Sequence, residues 1–199
     1  ELHALRAEVR AWLGENVPRD LVLPRPDEDI SPELEAWTVD FRRKLGGKGW
    51  LAPSWPRYFG GGGLPPQAGA AIMDEVSRLR LPPLSLNMTF LVPLRAWGTE
   101  EQKQRILPLV CSGEWIGAMA MSEPDIGTDV LGLSTTAVQQ DDGTWKINGR
   151  KMWITNGCLD EEGTPADVVW VYAKTGTDDK GRVQMSTFLV EVGMPGYSV

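Results

Sequence analysis

The stretch Ala118-Met119-Ala120-Met121-Ser122-Glu123-Pro124-Asp125-Ile126-Gly127-Thr128-Asp129 is where the character of the chain changes. Its first residues read as the end of a strand over 115–121, and the rest as a turn held by Pro124 and Gly127. The turn offers two hydroxyls, Ser122 and Thr128, and several free backbone N–H groups. That suits an anionic or carbonyl-rich ligand, because turn amides can form an anion-binding nest. Taken alone, the stretch is explained at least as well as a Pro-Gly loop with acidic surface side chains.

Upstream of this point the pattern is helical. Leu2, Leu5, Val9, Leu13 and Val17 recur at helical spacing and predict an amphipathic helix over 1–16. Pro18 to Ile30, with three prolines and an acidic patch, is a connector. Ser31-Pro32-Glu33 is an N-cap followed by proline at the first helical position. Leu34, Trp37, Phe41 and Leu45 then line one face, and Gly46-Gly47 ends it. The Pro- and Gly-rich run 49–66 is loop, and a third helix covers 66–80. Leu84 to Trp97, charged only at Arg95, predicts a buried helix. Thr99-Glu100-Glu101-Gln102 is a capping box opening a helix that ends near Cys111.

Downstream of Gly113, strand-like stretches fall at 115–121, 132–139, 145–148, 151–155, 167–174 and 184–192. Turn signals separate them at Asp142-Gly143, Asn148-Gly149, Asn156-Gly157 and Asp178–Gly181, and Leu133 to Ile154 reads as a meander. The expected fold class is therefore α+β. An all-α domain over 1–112 precedes an antiparallel, barrel- or sandwich-like β domain over 113–199. The charge divides at the same place. Residues 1–112 hold 14 Lys/Arg and 14 Asp/Glu, whereas 113–199 hold 6 and 13 and carry the whole net charge of −7.

Composition excludes several chemistries. The single histidine, His3, leaves no imidazole for a zinc cluster, a Ser–His–Asp triad or a Cys–His pair. Cys111 and Cys158 have no metal-type spacing and give no disulfide framework. The acidic balance argues against nucleic acid as a partner. No apolar run reaches the ~20 residues of a membrane span. The chain begins at Glu1 with no basic-then-apolar leader, so any targeting signal is expected to be gone.

A second stretch, Asn148-Gly149-Arg150-Lys151-Met152-Trp153-Ile154-Thr155-Asn156-Gly157, carries a second signal. Strand alternation would put Trp153 and Thr155 on one face. An indole beside a hydroxyl suits a flat heteroaromatic ring, though a core tryptophan in a hairpin also fits.

Together the two stretches resemble the acyl-CoA dehydrogenase family. The likeness extends to Gly49-Trp50 through Trp55-Pro56, Gly61–Leu64, Gly98-Thr99-Glu100-Glu101-Gln102-Lys103 through Leu107-Pro108, and Gly113-Glu114. It implies a helical domain, a β domain and a C-terminal four-helix domain, with FAD between the last two. Carried over, Met119, Ala120, Met121, Ser122, Gly127, Thr128, Trp153, Ile154 and Thr155 would bind the flavin. Ser122 would meet the pyrimidine end of the ring, and Thr128 the pyrophosphate and the CoA moiety. Trp153 would pack against the ring and Thr155 would bond near N5. Arg182 and Val183 are weaker candidates for acyl-CoA contact. The reaction implied is α,β-desaturation of an acyl-CoA thioester, with hydride passing to flavin N5 and electrons to an electron-transfer flavoprotein.

The resemblance also implies what these residues lack. The C-terminal domain and its catalytic glutamate are absent, so no catalytic residue and no metal site is expected here. The chain is expected to be a portion that is inactive alone. Glu123 reads as a loop residue with surface charge, and Glu75 and Glu114 as structural. Ala118–Pro124, Ala166–Thr175 and Glu191–Gly196 look most like the isovaleryl-CoA dehydrogenase branch, which implies a short branched acyl chain and a catabolic role. The Cys158–Pro165 insertion reads as a solvated loop. An acyl-CoA oxidase, or a non-catalytic family member serving as an assembly module, are the alternatives. A homotetramer or homodimer in the mitochondrial matrix or bacterial cytoplasm completes the expectation.

Overall fold

The computed structural model describes every residue except Pro26, Asp27, Asp29, Pro83, Ser85 and Glu161. Part of the expected acidic connector, Ser85 of the expected buried helix and Glu161 of the insertion therefore lie outside the described residues. The chain divides into two units, 1–86 with 91–115, and 87–90 with 116–199.

The first unit is helical. Helices α1 (Leu2–Asn16), α2 (Pro32–Gly47), α3 (Pro66–Ser77), α4 (Met88–Trp97) and α5 (Glu100–Cys111) follow in order, with a 3-10 turn at Arg57–Phe59. Local chemistry sets their ends. The Ser31 hydroxyl accepts from the Leu34 N–H at the start of α2. Thr99 and Gln102 form the reciprocal capping box of α5. One stripe of each of α1, α2 and α3 builds a core: Val9 and Leu13 from α1, Phe41 and Leu45 from α2, Ile72 and Val76 from α3, closed by Trp50 and Leu51. Each large apolar side chain buried this way contributes roughly 1.5–3 kcal/mol. Trp12 lies 5.5 Å, edge-on, from Trp50 and 5.6 Å from Phe41.

Two ion-pair and packing details fix this unit. Glu75, buried on α3, is held by Arg6 and Arg10 of α1 at 2.7 Å each. Its carboxyl is lowered to about 2, chiefly by the hydrogen bonds from Arg10 and then Arg6. At Gly46 a Cβ would come within 1.7 Å of the Ser112 carbonyl oxygen, so only glycine lets the end of α2 meet the end of α5.

The expected buried helix over Leu84–Trp97 differs in the structure. It starts at Met88, and only one face is covered: Phe90, Leu91 and Leu94 are buried whereas Val92 and Trp97 are exposed. Uninterrupted apolarity reads as all-round burial, but here it includes a face open to solvent.

The second unit is a five-stranded sheet of β1 (Gly117–Ala120), β2 (Thr136–Gln139), β3 (Trp145–Asn148), β4 (Val168–Thr177) and β5 (Val183–Glu191). The α+β division stands, but the sheet is mixed rather than purely antiparallel. β1 runs parallel to β4, with Gly117 opposite Val168, and β2 also meets β4 in parallel at Thr136 and Lys174. β2–β3 and β4–β5 are antiparallel. β4 is central because Val168, Val169, Trp170 and Ala173 are all buried, a continuous apolar run suited to a strand covered on both faces. The expected meander stops after β3. Residues 151–155 form no strand.

Candidate functional site

β1 delivers Met119 and Ala120 opposite Trp170 and Val171, and the chain then turns sharply. Glu123 and Ile126 exchange backbone hydrogen bonds, 2.9 Å from the Glu123 N–H and 3.2 Å from the Ile126 N–H, around Pro124 and Asp125. Gly127 and Thr128 follow on the surface, and a 3-10 turn over Val130–Gly132 leads toward β2.

Inside this turn sits a charge that the sequence did not place there. Glu123 is 1% exposed. Its Oε2 accepts from the Ser134 N–H and hydroxyl, both at 2.6 Å. Its Oε1 accepts from the Thr135 N–H at 3.0 Å and hydroxyl at 2.5 Å, and from Lys151 Nζ at 2.9 Å. Burial pushes the carboxyl upward, but the bonds from Ser134, Thr135 and Lys151 outweigh it and hold the group well below the usual range. The surface-charge reading of Glu123 is therefore corrected: its acceptor sites are filled by the protein. Gly149 makes this possible, since a Cβ there would lie 2.3 Å from Thr135 Oγ1.

The second stretch docks on the first. The Met152 N–H donates to the Ser122 carbonyl at 3.0 Å. Lys151 Nζ donates to the Met121 carbonyl at 3.1 Å as well as to Glu123. Trp153 then adopts φ +57° and Asn156 φ +62°. These left-handed residues break any extended run, so the strand alternation expected at Trp153 and Thr155 does not exist. Ile154 is instead the anchor, packed on the buried cluster of Ala118, Ala120, Ala166 and Val169. Trp153 is 75% exposed and Thr155 is exposed, and the Gly157 N–H closes the turn onto the Ile154 carbonyl at 2.9 Å. The indole and the hydroxyl share a surface turn, reached by a different backbone path from the one expected.

The sequence candidates thus fall into two groups. Met119 to Ser122 and Trp153 to Thr155 are brought together through Lys151 and Met152, which bond the Met121 and Ser122 carbonyls. Gly127 and Thr128 continue the same turn. Among the described residues the hydroxyls of Ser122, Thr128 and Thr155 have no hydrogen-bond partner. Arg182 and Val183 are not brought to this place. Val183 pairs with Thr177, six residues along β4 from the Val171 that faces Ala120, or about 20 Å of strand. Arg182 is engaged with Asp178 in the β4–β5 turn.

Burial pushes the Cys111 thiol up to about 12. In the 158–165 insertion Cys158 and Pro165 are bridged, the Leu159 N–H donates to the Thr164 carbonyl at 2.7 Å, and the Thr164 N–H donates to Asp160 Oδ1 at 2.8 Å. Among the described residues no His/Cys/Asp/Glu cluster could hold a metal, and no helix is long and apolar enough to cross a membrane. An apolar cavity of about 250 Å³ in the helical unit is lined by Leu45, Trp50, Val76, Leu81 and Leu86. Neither motif stretch lines it.

A helical unit is followed by a mixed sheet in which a hydroxyl-bearing turn is locked to the stretch that carries an exposed tryptophan. The chain belongs to the acyl-CoA dehydrogenase family, whose N-terminal domain matches residues 1–114 and whose middle domain matches 118–199. It is 38% identical over 207 residues to the mitochondrial isovaleryl-CoA dehydrogenase of Pongo abelii, covering 100% of this chain and 45% of that protein. It is 38% identical over 181 residues to a probable acyl-CoA dehydrogenase of Bacillus subtilis, covering 89% of this chain and 28% of that protein. A solved acyl-CoA dehydrogenase from Bacillus anthracis, complexed with FAD, is 29% identical and superposes with a TM-score of 0.67 over 98% of this chain and 31% of its own. The chain thus spans less than half the length of each of these three proteins.

Proposed function

We propose that the turn over Met119–Thr128 and the turn over Trp153–Thr155 form part of an FAD site in an enzyme that desaturates acyl-CoA thioesters at the α,β position. The observation that carries this is the direct lock between the two stretches through their main chains and Lys151, which leaves the exposed Trp153 indole and the hydroxyls of Thr155, Ser122 and Thr128 without a hydrogen-bond partner among the described residues. The donor set fits the group. Hydroxyls and turn amides suit phosphates and the carbonyls of a flavin ring, and an exposed indole offers a stacking face. FAD, when bound, supplies the hydride-accepting chemistry of the reaction.

This chain's residues bind and orient. Ser122 holds the pyrimidine end of the flavin, and Thr128 lies toward the pyrophosphate and CoA. Trp153 covers the ring and excludes water from it, and Thr155 bonds near N5. Met119, Ala120, Met121, Gly127 and Ile154 shape the backbone of the site. None of them acts as the base, and Glu123 is unsuited to that task because its oxygens are already engaged. The domain division falls near residue 112. The likeness to isovaleryl-CoA dehydrogenase favours a short branched acyl chain. An electron-transfer flavoprotein takes the electrons, the assembly is homo-oligomeric, and the compartment is the mitochondrial matrix or bacterial cytoplasm.

The test is spectroscopic. The protein in its full chain is purified, supplied with FAD, and titrated anaerobically with isovaleryl-CoA and with straight-chain acyl-CoA. Bound flavin that bleaches, at lower concentration with the branched thioester, is expected. A colourless protein that takes up no FAD would overturn the reading.

A further inference from the structure

We propose that Lys151 and Glu123 are positioning residues that set the relative placement of Ser122 and Trp153. The geometry is specific. Lys151 Nζ grips the Met121 carbonyl, and the Met152 N–H grips the Ser122 carbonyl. Two successive carbonyls of the first turn are thus bonded to two successive residues of the second. Ser122 is held at its own carbonyl and at the one before it, and Trp153 directly follows the residue that holds it.

The grip depends on Glu123. The Lys151 side chain is only 10% exposed, and a buried ammonium is costly unless it is paired and hydrogen-bonded. Glu123 supplies that pair at 2.9 Å and is itself fixed by the main chain and hydroxyls of Ser134 and Thr135. Removing either charge leaves the other buried without its partner, so the turns would part or rotate. The side chains of Lys151 and Glu123 are used up in this contact, so they act through Ser122 and Trp153 and not on a ligand themselves.

The proposal rests on the flavin-site reading, and its test separates the two. In the full chain, Glu123→Gln, Lys151→Met and Lys151→Arg are compared with the unaltered protein. FAD affinity is read by flavin fluorescence, and ring environment by visible circular dichroism of the bound flavin. Glu123→Gln and Lys151→Met are expected to weaken FAD binding about tenfold or more and to alter the flavin dichroism, while Lys151→Arg recovers most of both. Glu75→Gln in the helical unit serves as the stability control: it should lower the melting temperature and leave the dichroism unchanged. If Lys151→Met fails to fold, Thr135→Val, which removes one donor, should shift affinity and dichroism the same way by a smaller factor. Variants that lose melting temperature but keep unaltered affinity and dichroism would overturn the positioning role. An unaltered protein that binds no FAD would overturn both this and the site reading.

Discussion

The backbone N–H of Met152 lies 3.0 Å from the carbonyl oxygen of Ser122 and donates to it. Together with the Lys151 bonds to the Met121 carbonyl and to Glu123, it joins two stretches 30 positions apart. It explains why the second stretch is not a strand: the N–H a ladder would use is engaged in a turn-to-turn contact. The left-handed Trp153 then turns its ring to solvent.

Trp153 is therefore expected to matter for ligand and little for stability. Trp153→Ala should shift unfolding free energy by no more than about 0.5 kcal/mol, as for other surface substitutions. FAD binding should weaken roughly three- to tenfold through loss of ring contact. Parallel urea melts and flavin titrations check this; a large loss of stability would mean that the indole is part of the core.

Gly149 is expected to be sterically locked. An added Cβ would meet Thr135 Oγ1 at 2.3 Å and Thr135 Cα at 2.7 Å, and backbone cannot yield as a flexible side chain would. Gly149→Ala should cost about 1–3 kcal/mol and reduce FAD affinity along with it, because Thr135 bonds Glu123. Differential scanning calorimetry with and without FAD reads both effects.

Glu75 gives a pH signature. Its carboxyl is lowered from 4.5 to about 2 by Arg10 and Arg6, so the folded state holds its proton less tightly than the unfolded state. The stabilisation it provides is complete above about pH 4.5 and is lost as the pH falls toward 2. Urea midpoints across pH 2 to 7 should show an acid-side loss that shrinks in Glu75→Gln. Identical pH profiles would contradict the pairing of α1 and α3 through this group.

The capping box of α5 gives a stability prediction independent of any ligand. Thr99 accepts from the Gln102 N–H at 3.2 Å, and the Gln102 side chain accepts from the Thr99 N–H at 2.9 Å. Thr99→Ala should cost about 1 kcal/mol. Thr99→Ser should recover most of it, as measured by denaturant unfolding.

Helix ends were legible because their chemistry is local. Ser31 and Thr99 bond amides three residues away, so the signal and its partner sit in one window. The strand expected at 151–155 failed for the opposite reason. Met152 and Ile154 alternate with Trp153 and Thr155 as in a half-buried strand, but the bonds that set this backbone come from Met121 to Glu123. Glu123 was misread for the same cause. In sequence it is an acid in a Pro-Gly turn, and its partners lie 11, 12 and 28 positions onward. Lys151 follows Asn148, Gly149 and Arg150, so nothing in its own stretch marks it as the partner of a buried acid. The parallel pairing of β1 and β2 with β4 was hidden as well, since strand patterns give burial but not partner or direction.

The central claim is that the 119–128 and 151–155 turns are the flavin contact surface. Hydrogen–deuterium exchange of the full-chain protein with and without FAD tests it most directly. The account predicts that added FAD slows exchange at the amides of 119–128 and 152–157 and leaves α1–α3 unchanged. Unaltered exchange in both turns, with FAD bound and protection confined to other segments, would contradict it.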